Sequence, residues 1–274
     1  MPSDPRRPVA FSFAAALAMT LLTPVEAQVL DRFELRGGGE TLDADSTVRV
    51  DDGATLGTSI DFEDDLGLEG ETETFSIELA FRLGKRHQLG FSQRTLDRTG
   101  ERRLDQSMTF QGFTFPFDVD TESHLDLEMT GVSYTFWPFL GQSGGFGIAL
   151  GAYDTEIRAG ITGRATVGGV QLSHTEEASE SAPLPFVGVD FRFLPSNRWR
   201  IRGQYRVLSV DDFDGWEGDL TDGTVGLDFR LLSQLWIGAA YRTLEIDVSS
   251  EEAGFTGQAD LDFSGFGVYG TLTF

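Results

Sequence analysis

The C-terminal segment Ser264–Phe274 constrains the fold of this chain more than any other stretch. Its residues alternate strictly: Phe266, Val268, Leu272 and Phe274 share one face, and small or polar residues share the other. A period of two predicts a β-strand. A segment of roughly 9–11 such residues is long enough to cross a bilayer as a tilted strand. We therefore predict a strand whose apolar face contacts lipid.

The same alternation recurs along the chain in pairs of segments that are joined by very short turns. Phe75–Leu83, for example, is followed by a turn at Gly84–Arg86. An internal repeat supports this pairing, because Phe81–Leu96 and Phe229–Leu244 both begin with Phe-Arg-Leu and end with Arg-Thr-Leu. A third, slightly longer copy spans Phe191–Leu208. Repeated hairpins are typical of an up-and-down β-barrel.

The N-terminal segment, residues 1–27, has the composition of a cleavable signal peptide. Arg6 and Arg7 precede an apolar core, Val9–Leu22, and Val25 and Ala27 are small residues before a predicted cut at Gln28. No later stretch approaches 18 consecutive apolar residues, so no helical span is predicted. An exported membrane protein without helical spans must be a closed barrel, because lipid cannot satisfy open sheet edges. We predict a barrel domain over residues 28–274.

The alternating segments predict a transmembrane antiparallel β-barrel of about ten strands, an all-β fold. The predicted strands are 31–50, 72–84, 87–98, 123–137, 144–159, 183–194, 198–210, 220–231, 234–248 and 258–274. Gly37-Gly38-Gly39 weakens the first pattern, and eight strands is the alternative if this segment and one other do not span. An even number places both termini in the periplasm, as bacterial barrels require.

The predicted connections alternate between short turns and long acidic loops, which is typical of the two ends of an outer-membrane barrel. The net charge of −23 excludes nucleic acid as a partner, because its phosphates would be repelled. Cysteine is absent, which excludes disulfides and thiol chemistry. The acidic segment Asp61–Gly70 contains the candidate ligands for a divalent cation, Asp61, Glu63, Asp64 and Asp65. It lacks EF-hand spacing, so a solvated loop is the favoured interpretation and a cation site is the alternative.

The lumen face predicted by the alternation is charged, with nine arginines and five carboxylates. The predicted inward residues are Glu34, Arg36, Glu78, Arg82, Arg94, Asp190, Arg192, Arg200, Arg202, Arg206, Asp222, Asp228, Arg230 and Arg242. In small barrels the interior is just wide enough for side chains to fill. Arginine–carboxylate pairs that fill the lumen are one prediction, because unpaired buried charge is costly. A narrow anion-preferring path, favoured by the arginine surplus, is the alternative.

Three strands change phase about halfway along their length. In one of them the apolar residues are odd-numbered at Leu125, Leu127 and Met129 and even-numbered further along the strand. The apolar residues of the segments 237–248 and 261–268 change parity in the same way. A β-bulge, or strands that extend above the membrane, would produce this pattern. The alternative is an apolar pocket inside the outer mouth, lined by Leu125, Leu244 and Ile246.

Catalytic signals are weak, and we expect a non-enzymatic protein without a cofactor. The histidines are His87, His124 and His174. His124 and Asp126 share a parity, and such a pair can orient a base. No serine or second carboxylate pair is fixed beside them by spacing. A rim enzyme that acts on lipid A or peptide remains the third hypothesis, after a structural or surface-interaction role and a narrow pore.

With these features the chain resembles Gram-negative outer-membrane β-barrel proteins, in particular small uncharacterised ones, over residues 29–274. Its most specific parts are the terminal strand and the string DFEDDLGLEG. The resemblance implies a location in the outer membrane, contact with lipopolysaccharide and folding by the barrel-assembly machinery. That machinery would recognise Phe266, Val268, Leu272 and Phe274, although Gly270 departs from the pattern. The rim groups of omptin-type proteases and the Ser–His pair of lipid A deacylases cannot be placed.

Overall fold

The computed structural model describes residues 29–51, 56–167, 170–213, 216–252 and 255–274. The predicted signal peptide, residues 1–27, lies outside the described residues. Within these ranges the secondary structure consists of strands and turns, and no helix is long and apolar enough to cross a membrane.

The described strands number thirteen, and ten of them form the wall of one barrel. In chain order they are β1 Phe33–Asp51, β2 Ile60–Asp61, β3 Glu71–Leu83, β4 His87–Arg103, β5 Met108–Phe110, β6 Phe113–Phe115, β7 Asp120–Leu140, β8 Gly144–Val167, β9 Val170–Ser196, β10 Trp199–Phe213, β11 Trp216–Arg230, β12 Leu235–Glu252 and β13 Phe255–Thr273. The wall strands are β1, β3, β4 and β7 to β13, each antiparallel to its neighbours. The short strands β2, β5 and β6 lie in two connections.

The barrel closes where β13 pairs with β1. The pairing is continuous from Glu34 opposite Thr273 to Asp51 opposite Thr256. At the end of the seam, the N–H of Phe33 donates to the carbonyl of Phe274 and the reverse bond also forms, both at 3.0 Å. No strand edge is therefore left open at this seam. The prediction of ten strands is confirmed, and the alternative of eight is excluded.

The glycine triplet does not interrupt β1; it makes room for an aromatic side chain at the seam. A Cβ atom built on Gly38 would lie 2.3 Å from the carbonyl oxygen of Val268 and 2.5 Å from Cβ of Tyr269. Gly238, on the other side of β13, would place a Cβ 2.5 Å from the Tyr269 ring. Only glycine permits this approach, so the Tyr269 ring lies across two neighbouring strands.

The outward side chains near the short-turn end of the strands form a continuous apolar belt around the barrel. Its members are more than a third exposed because they face the surroundings of the barrel rather than its interior. They include Phe75, Ile77, Phe81, Leu89, Phe91, Val132, Tyr134, Phe146, Ile148, Leu150, Val187, Val189, Phe191, Trp199, Tyr205, Val225, Leu227, Ile237, Tyr241, Phe266, Val268 and Phe274. Each wall strand other than β1 contributes to the belt, and only over its part nearest the short turns, as a lipid-facing band would require.

Above the belt the apolar residues face inward, and this inversion explains the change of phase. Pairing stays in register through these positions on β7, β12 and β13, so the predicted β-bulge is wrong there. The register shifts lie elsewhere, for example between Phe136 and Phe139. Leu125, Leu244 and Ile246 are buried inside the barrel. The strands therefore continue beyond the belt with reversed polarity.

The continuation of the strands also shortens the loops. The segment between the predicted strands 144–159 and 183–194, expected to be a long loop, is almost entirely strand in β8 and β9, which pair up to Val167 opposite Val170. The β10–β11 and β12–β13 connections are likewise short, whereas the β1–β3 and β4–β7 connections are long. Strand length was underestimated because the prediction used only the span of a bilayer.

The two long connections fold back into the barrel and fill its long-loop end. They bury Ile60, Phe62, Leu66, Leu68, Met108, Phe110 and Phe115 against the inverted apolar faces of the strands. We call this cluster, with Leu125, Leu244 and Ile246, the loop-end core. At the opposite mouth Val29 and Leu30 pack on Trp137 and Leu194, and these four residues form the turn-end core.

Candidate functional site

Between the two apolar cores, the lumen contains the charged residues that the alternation predicted. Most of the predicted set is buried, and Glu78, Arg82 and Arg230 are partly buried. Arg82 lies near the turn-end core, where its Nη1 donates to the carbonyl of Leu30 at 2.6 Å. The lumen charges contact one another across the barrel.

The tightest cluster surrounds Asp228, which is fully buried. Arg200, also fully buried, donates from Nε to Asp228 at 2.6 Å. The Tyr269 hydroxyl donates to the same carboxylate, and Arg202 Nε donates to the Tyr269 oxygen at 3.2 Å. The close approach that Gly38 and Gly238 permit thus places the Tyr269 phenol where it links Arg202 to Asp228.

A second cluster joins β1 to strands on both sides of the barrel. Glu34 pairs with Arg192 on β9 and lies 3.5 Å from Nη1 of Arg200 on β10. Arg36 pairs with Glu78 on the neighbouring strand β3. Because Glu34 and its partners are far apart in sequence, these bonds form only when the barrel is closed.

A third cluster lies nearer the loop-end core. Arg206 donates to Asp190 at 2.6 Å, and Arg242 donates to Asp222 at 3.1 Å. The Tyr153 hydroxyl donates to the other oxygen of Asp222 at 2.9 Å. Each carboxylate in this layer therefore accepts from at least one arginine, as stable burial of charge requires.

The sequence prediction missed two carboxylates of the network, Glu40 and Asp31. Glu40 accepts from Arg242 Nε at 3.3 Å, and Asp31 lies 3.6 Å from Arg200. Glu40 has the same parity as Glu34, so the alternation contained the signal to find it. Asp31 lies at the start of the predicted strand 31–50 with a parity opposite to that of Glu34, and in the structure it precedes β1, so the alternation does not apply to it. The two residues raise the carboxylate count from five to seven against nine arginines, which reduces the arginine surplus.

Tryptophan rings close the charged layer on the side of the short turns. The Arg200 guanidinium lies 4.6 Å from the centre of the Trp236 ring, and Arg192 lies 5.5 Å from that of Trp137. The Arg230 guanidinium lies 4.7 Å from the centre of the same Trp236 ring. These are cation–π distances, so the rings stabilise charge while they exclude water.

A small polar cavity of about 80 Å³ remains inside the charged layer. Arg94 and Glu40 approach each other to 3.9 Å there, and Nε of Arg94 and Oε2 of Glu40 have no hydrogen-bond partner among the described residues. A buried water needs only about 10–15 Å³ and two or more polar groups. We therefore expect a few enclosed waters to complete the network.

Three of the four candidate metal ligands in the Asp61–Gly70 loop, Asp61, Glu63 and Asp65, accept hydrogen bonds from the protein. Glu63 accepts from Arg98 Nη2 at 2.5 Å and from the N–H of Ser46 at 2.9 Å. Asp61 accepts from the N–H of Asp64 at 2.7 Å, and Asp65 accepts from that of Asp61 at 3.1 Å. Within the described ranges, no three acidic or histidine side chains converge as a metal site.

Arg98 is a further residue that the sequence prediction missed. It is buried in the loop-end core, where it binds Glu63, the hydroxyl of Ser46 at 2.8 Å and the carbonyl of Glu69 at 2.7 Å. These bonds fasten the acidic loop to β1 and β4. Arg98 has the same parity as Arg94 on β4, and that pattern would have predicted its inward position.

The structure separates the three histidines from one another. His124 and Asp126 lie on the outer face of β7, on either side of the buried Leu125. His87 contacts the Tyr134 hydroxyl at 2.6 Å near the short turns, and His174 bonds to Glu176 at 2.7 Å. Among the described residues, none of these rings bonds to a serine hydroxyl.

Comparison with known proteins identifies the architecture. No family model matches the chain, and no curated protein matches it in sequence. Among solved structures, the outer membrane protease OmpT from Escherichia coli is similar over 93% of this chain and 99% of its own, with a TM-score of 0.50 and 11% identity. The chain has the fold of an outer-membrane β-barrel.

Other outer-membrane barrels match less well. The translocator domain of the autotransporter NalP from Neisseria meningitidis covers 85% of this chain and 88% of its own, with 11% identity and a TM-score of 0.44. Ail, the attachment invasion locus protein of Yersinia pestis, covers 88% and 99%, with 11% identity and a TM-score of 0.30. At these identities the likeness concerns the fold alone.

Outside the apolar belt, this outer-membrane barrel places carboxylates directly opposite one another on adjacent strands. Asp247 on β12 lies opposite Asp219 on β11 and Asp260 on β13. Asp262 lies opposite Glu245 in the same way. Like charges in this arrangement destabilise a sheet. Burial, and then the neighbouring carboxylates, raises the pKa of Asp247 and of Asp262 above the usual value.

The raised pKa values predict that acid stabilises the loop end of β11 to β13. When the pKa of an aspartate is higher in the folded protein than its unfolded value of about 3.9, the folded protein loses stability as the pH rises from the unfolded to the folded pKa. Protection factors, which correct amide exchange rates for their intrinsic pH dependence, should therefore be higher at about pH 4 than at about pH 8 for the amides at the ends of these strands. Asp247→Asn should slow exchange at the higher pH. Equal protection at both pH values, or no effect of the substitution, would contradict this prediction.

Proposed function

We propose that this chain is an integral outer-membrane protein with a structural or surface-interaction role and a closed lumen. One observation carries the proposal: apolar cores fill both mouths of the barrel, and a paired charge network lies between them. A solute would have to displace Leu30 and Trp137 at one end and the loop-end core at the other. We propose no catalytic residues and no cofactor.

The closed lumen argues against the narrow anion-preferring pore. An anion path needs arginines whose charge is not neutralised, but the described lumen arginines contact carboxylates, aromatic rings or backbone carbonyls. Glu40 and Asp31 also reduce the arginine surplus on which that hypothesis rested. Buried charges that are paired in this way are expensive to separate, because either partner alone would remain desolvated.

We place the short turns and both termini in the periplasm and the long-loop end outside the cell. The apolar belt would then contact the lipids of the outer membrane. The closing strand would present the signal for the barrel-assembly machinery, since Phe266, Val268 and Phe274 all face outward and are exposed. Lipopolysaccharide would surround the upper wall, where divalent cations would neutralise the acidic residues.

Single-channel recording in a planar bilayer tests the closed lumen. The purified barrel should give no discrete conductance steps at high protein load, while a porin added to the same bilayer provides the positive control. Steps from the wild-type protein would contradict the proposal. If steps occurred, Arg202→Glu would reveal whether ions pass the lumen arginines, because that substitution would shift the reversal potential toward cation selectivity.

A further inference from the structure

One edge of the longest strand, β9, is unpaired over more than half its length. β9 pairs with β8 along its whole span, from Phe193 opposite Gly144 to Val170 opposite Val167. On its other side it pairs with β10 only as far as Val187. Above Val187, no other described strand is paired with the β10-facing edge of β9.

Two prolines explain where the pairing with β10 stops. In an antiparallel strand, successive residues direct their backbone N–H and C=O groups to opposite neighbours. The N–H of Leu194 donates toward β8, to Ser143 at 2.7 Å, so even-numbered residues face β8 and odd-numbered residues face β10. Pro183 and Pro185 are odd-numbered and lack an N–H. The ladder to β10 therefore cannot continue through them.

Beyond the prolines, the segment Val170–Ser181 has ordinary backbone groups on that edge. Thr175, Glu177, Ser179 and Ser181 direct their N–H and C=O groups away from β8, and their side chains are exposed. Exposed edges of this length are normally blunted by proline, lysine or a covering loop, because they pair readily with other chains. The prolines here protect only the lower part of the edge.

The chemistry of this edge favours a cationic partner. Its segment contains no lysine or arginine and exposes Glu177, and β10 across the gap carries Asp211 and Asp212 in sequence. Glu176, which bonds to His174 at 2.7 Å, and Glu180 are half-buried and have the inward parity. We propose that Val170–Ser181 binds an extended basic polypeptide segment, which adds to β9 as a further strand. This inference deepens the proposed surface-interaction role and rests on it. Backbone hydrogen bonds would supply affinity, and the acidic side chains would select for positive charge.

A labelled peptide provides a direct test. The probe is a fluorescein-labelled peptide of alternating lysine and threonine, about twelve residues long to match the free edge. Its affinity for the full barrel in detergent is measured by fluorescence anisotropy. A second peptide with the same charge is N-methylated at alternate residues, so that one edge cannot donate hydrogen bonds.

The matched protein variant is Thr175→Pro combined with Ser179→Pro. Both residues are odd-numbered, so these prolines remove two free N–H donors without changing the charge or the backbone hydrogen bonds to β8. They also remove the hydroxyl contacts of Thr175 with Thr162 and of Ser179 with Glu156, both on β8. Heat-modifiable migration on gels verifies that the variant is folded, and the single substitutions serve as milder versions. Glu177→Gln measures the contribution of charge separately.

We expect the wild-type barrel to bind the peptide, and the double-proline variant to bind at least about tenfold more weakly. The N-methylated peptide should bind the wild type with a similar loss. Equal binding by the folded proline variant, equal binding of the N-methylated peptide, or no binding by the wild type would overturn the proposal. A wild-type dimer that the prolines dissociate would also overturn it, since a second copy would then occupy the edge. The outcome of the peptide experiment does not affect the conductance test, so the β9-edge proposal and the closed-lumen proposal can fail independently.

Discussion

Replacement of Arg200 by methionine should lower the free energy of unfolding by about 3–5 kcal/mol, because it leaves buried carboxylates without their main partner. Arg200 is fully buried, bonds to Asp228 at 2.6 Å and lies within 3.6 Å of Glu34 and Asp31. Urea-induced unfolding of the barrel in lipid vesicles measures the change. Methionine retains most of the volume, so the loss reflects charge rather than a cavity.

A double variant separates the ion pair from general damage. Arg200→Met with Asp228→Asn should lose less stability than the sum of the two single variants, because the second substitution removes the stranded charge. Arg158→Met is the matched control, since its pair with Glu156 is on the outer face and half-exposed. Its stability should change by no more than about 0.5 kcal/mol. Additive losses at Arg200 and Asp228 would contradict a coupled buried network.

Phe110→Ala should open the long-loop end while the lower barrel remains folded. Phe110 is fully buried in the loop-end core, and such truncations cost about 3–5 kcal/mol. Because this core lies above the apolar belt, the loss falls on the two infolded connections rather than on the wall. Trypsin should then cut near the exposed Arg102 and Arg103 at least about tenfold faster than in the wild type. Heat-modifiable migration should be retained.

The control for this experiment lies in the same connection. Phe117 is 67% exposed, so Phe117→Ala removes an aromatic ring without creating a cavity. Its cleavage rate should equal that of the wild type. If Phe110→Ala abolished heat-modifiable migration, the loop-end core would support the whole barrel and not only its outer half.

The sequence was sufficient to predict the barrel because alternation reports side-chain direction. On each predicted strand, residues of one parity proved to face outward, and Phe266 and Val268 are exposed as expected. The number of strands was predicted correctly even at the glycine triplet. The same rule placed Arg200, Arg202 and Asp228 in the lumen, since a strand has only two faces.

Other features depend on contacts that no local pattern encodes. The lengths of β8 and β9 were underestimated because polarity inverts above the belt, where lipid no longer requires an apolar outer face. The infolded connections were predicted as solvated acidic loops, since the apolar Phe62 and Phe110 are scattered among polar neighbours. The pairing of Glu34 with Arg192 joins residues at opposite ends of the sequence, and only closure of the barrel determines it.

The seam between β1 and β13 also dictates an order of assembly. Its partners lie more than 200 residues apart, as Gly38 does from Tyr269, so it has the highest contact order in the chain and should form last. The infolded connections and the residues Val29 and Leu30 must therefore be inside before the final strand joins the first. Water enclosed among the arginines is trapped at that moment. Its later exchange with bulk solvent would be limited by the rate at which one of the two apolar mouths opens.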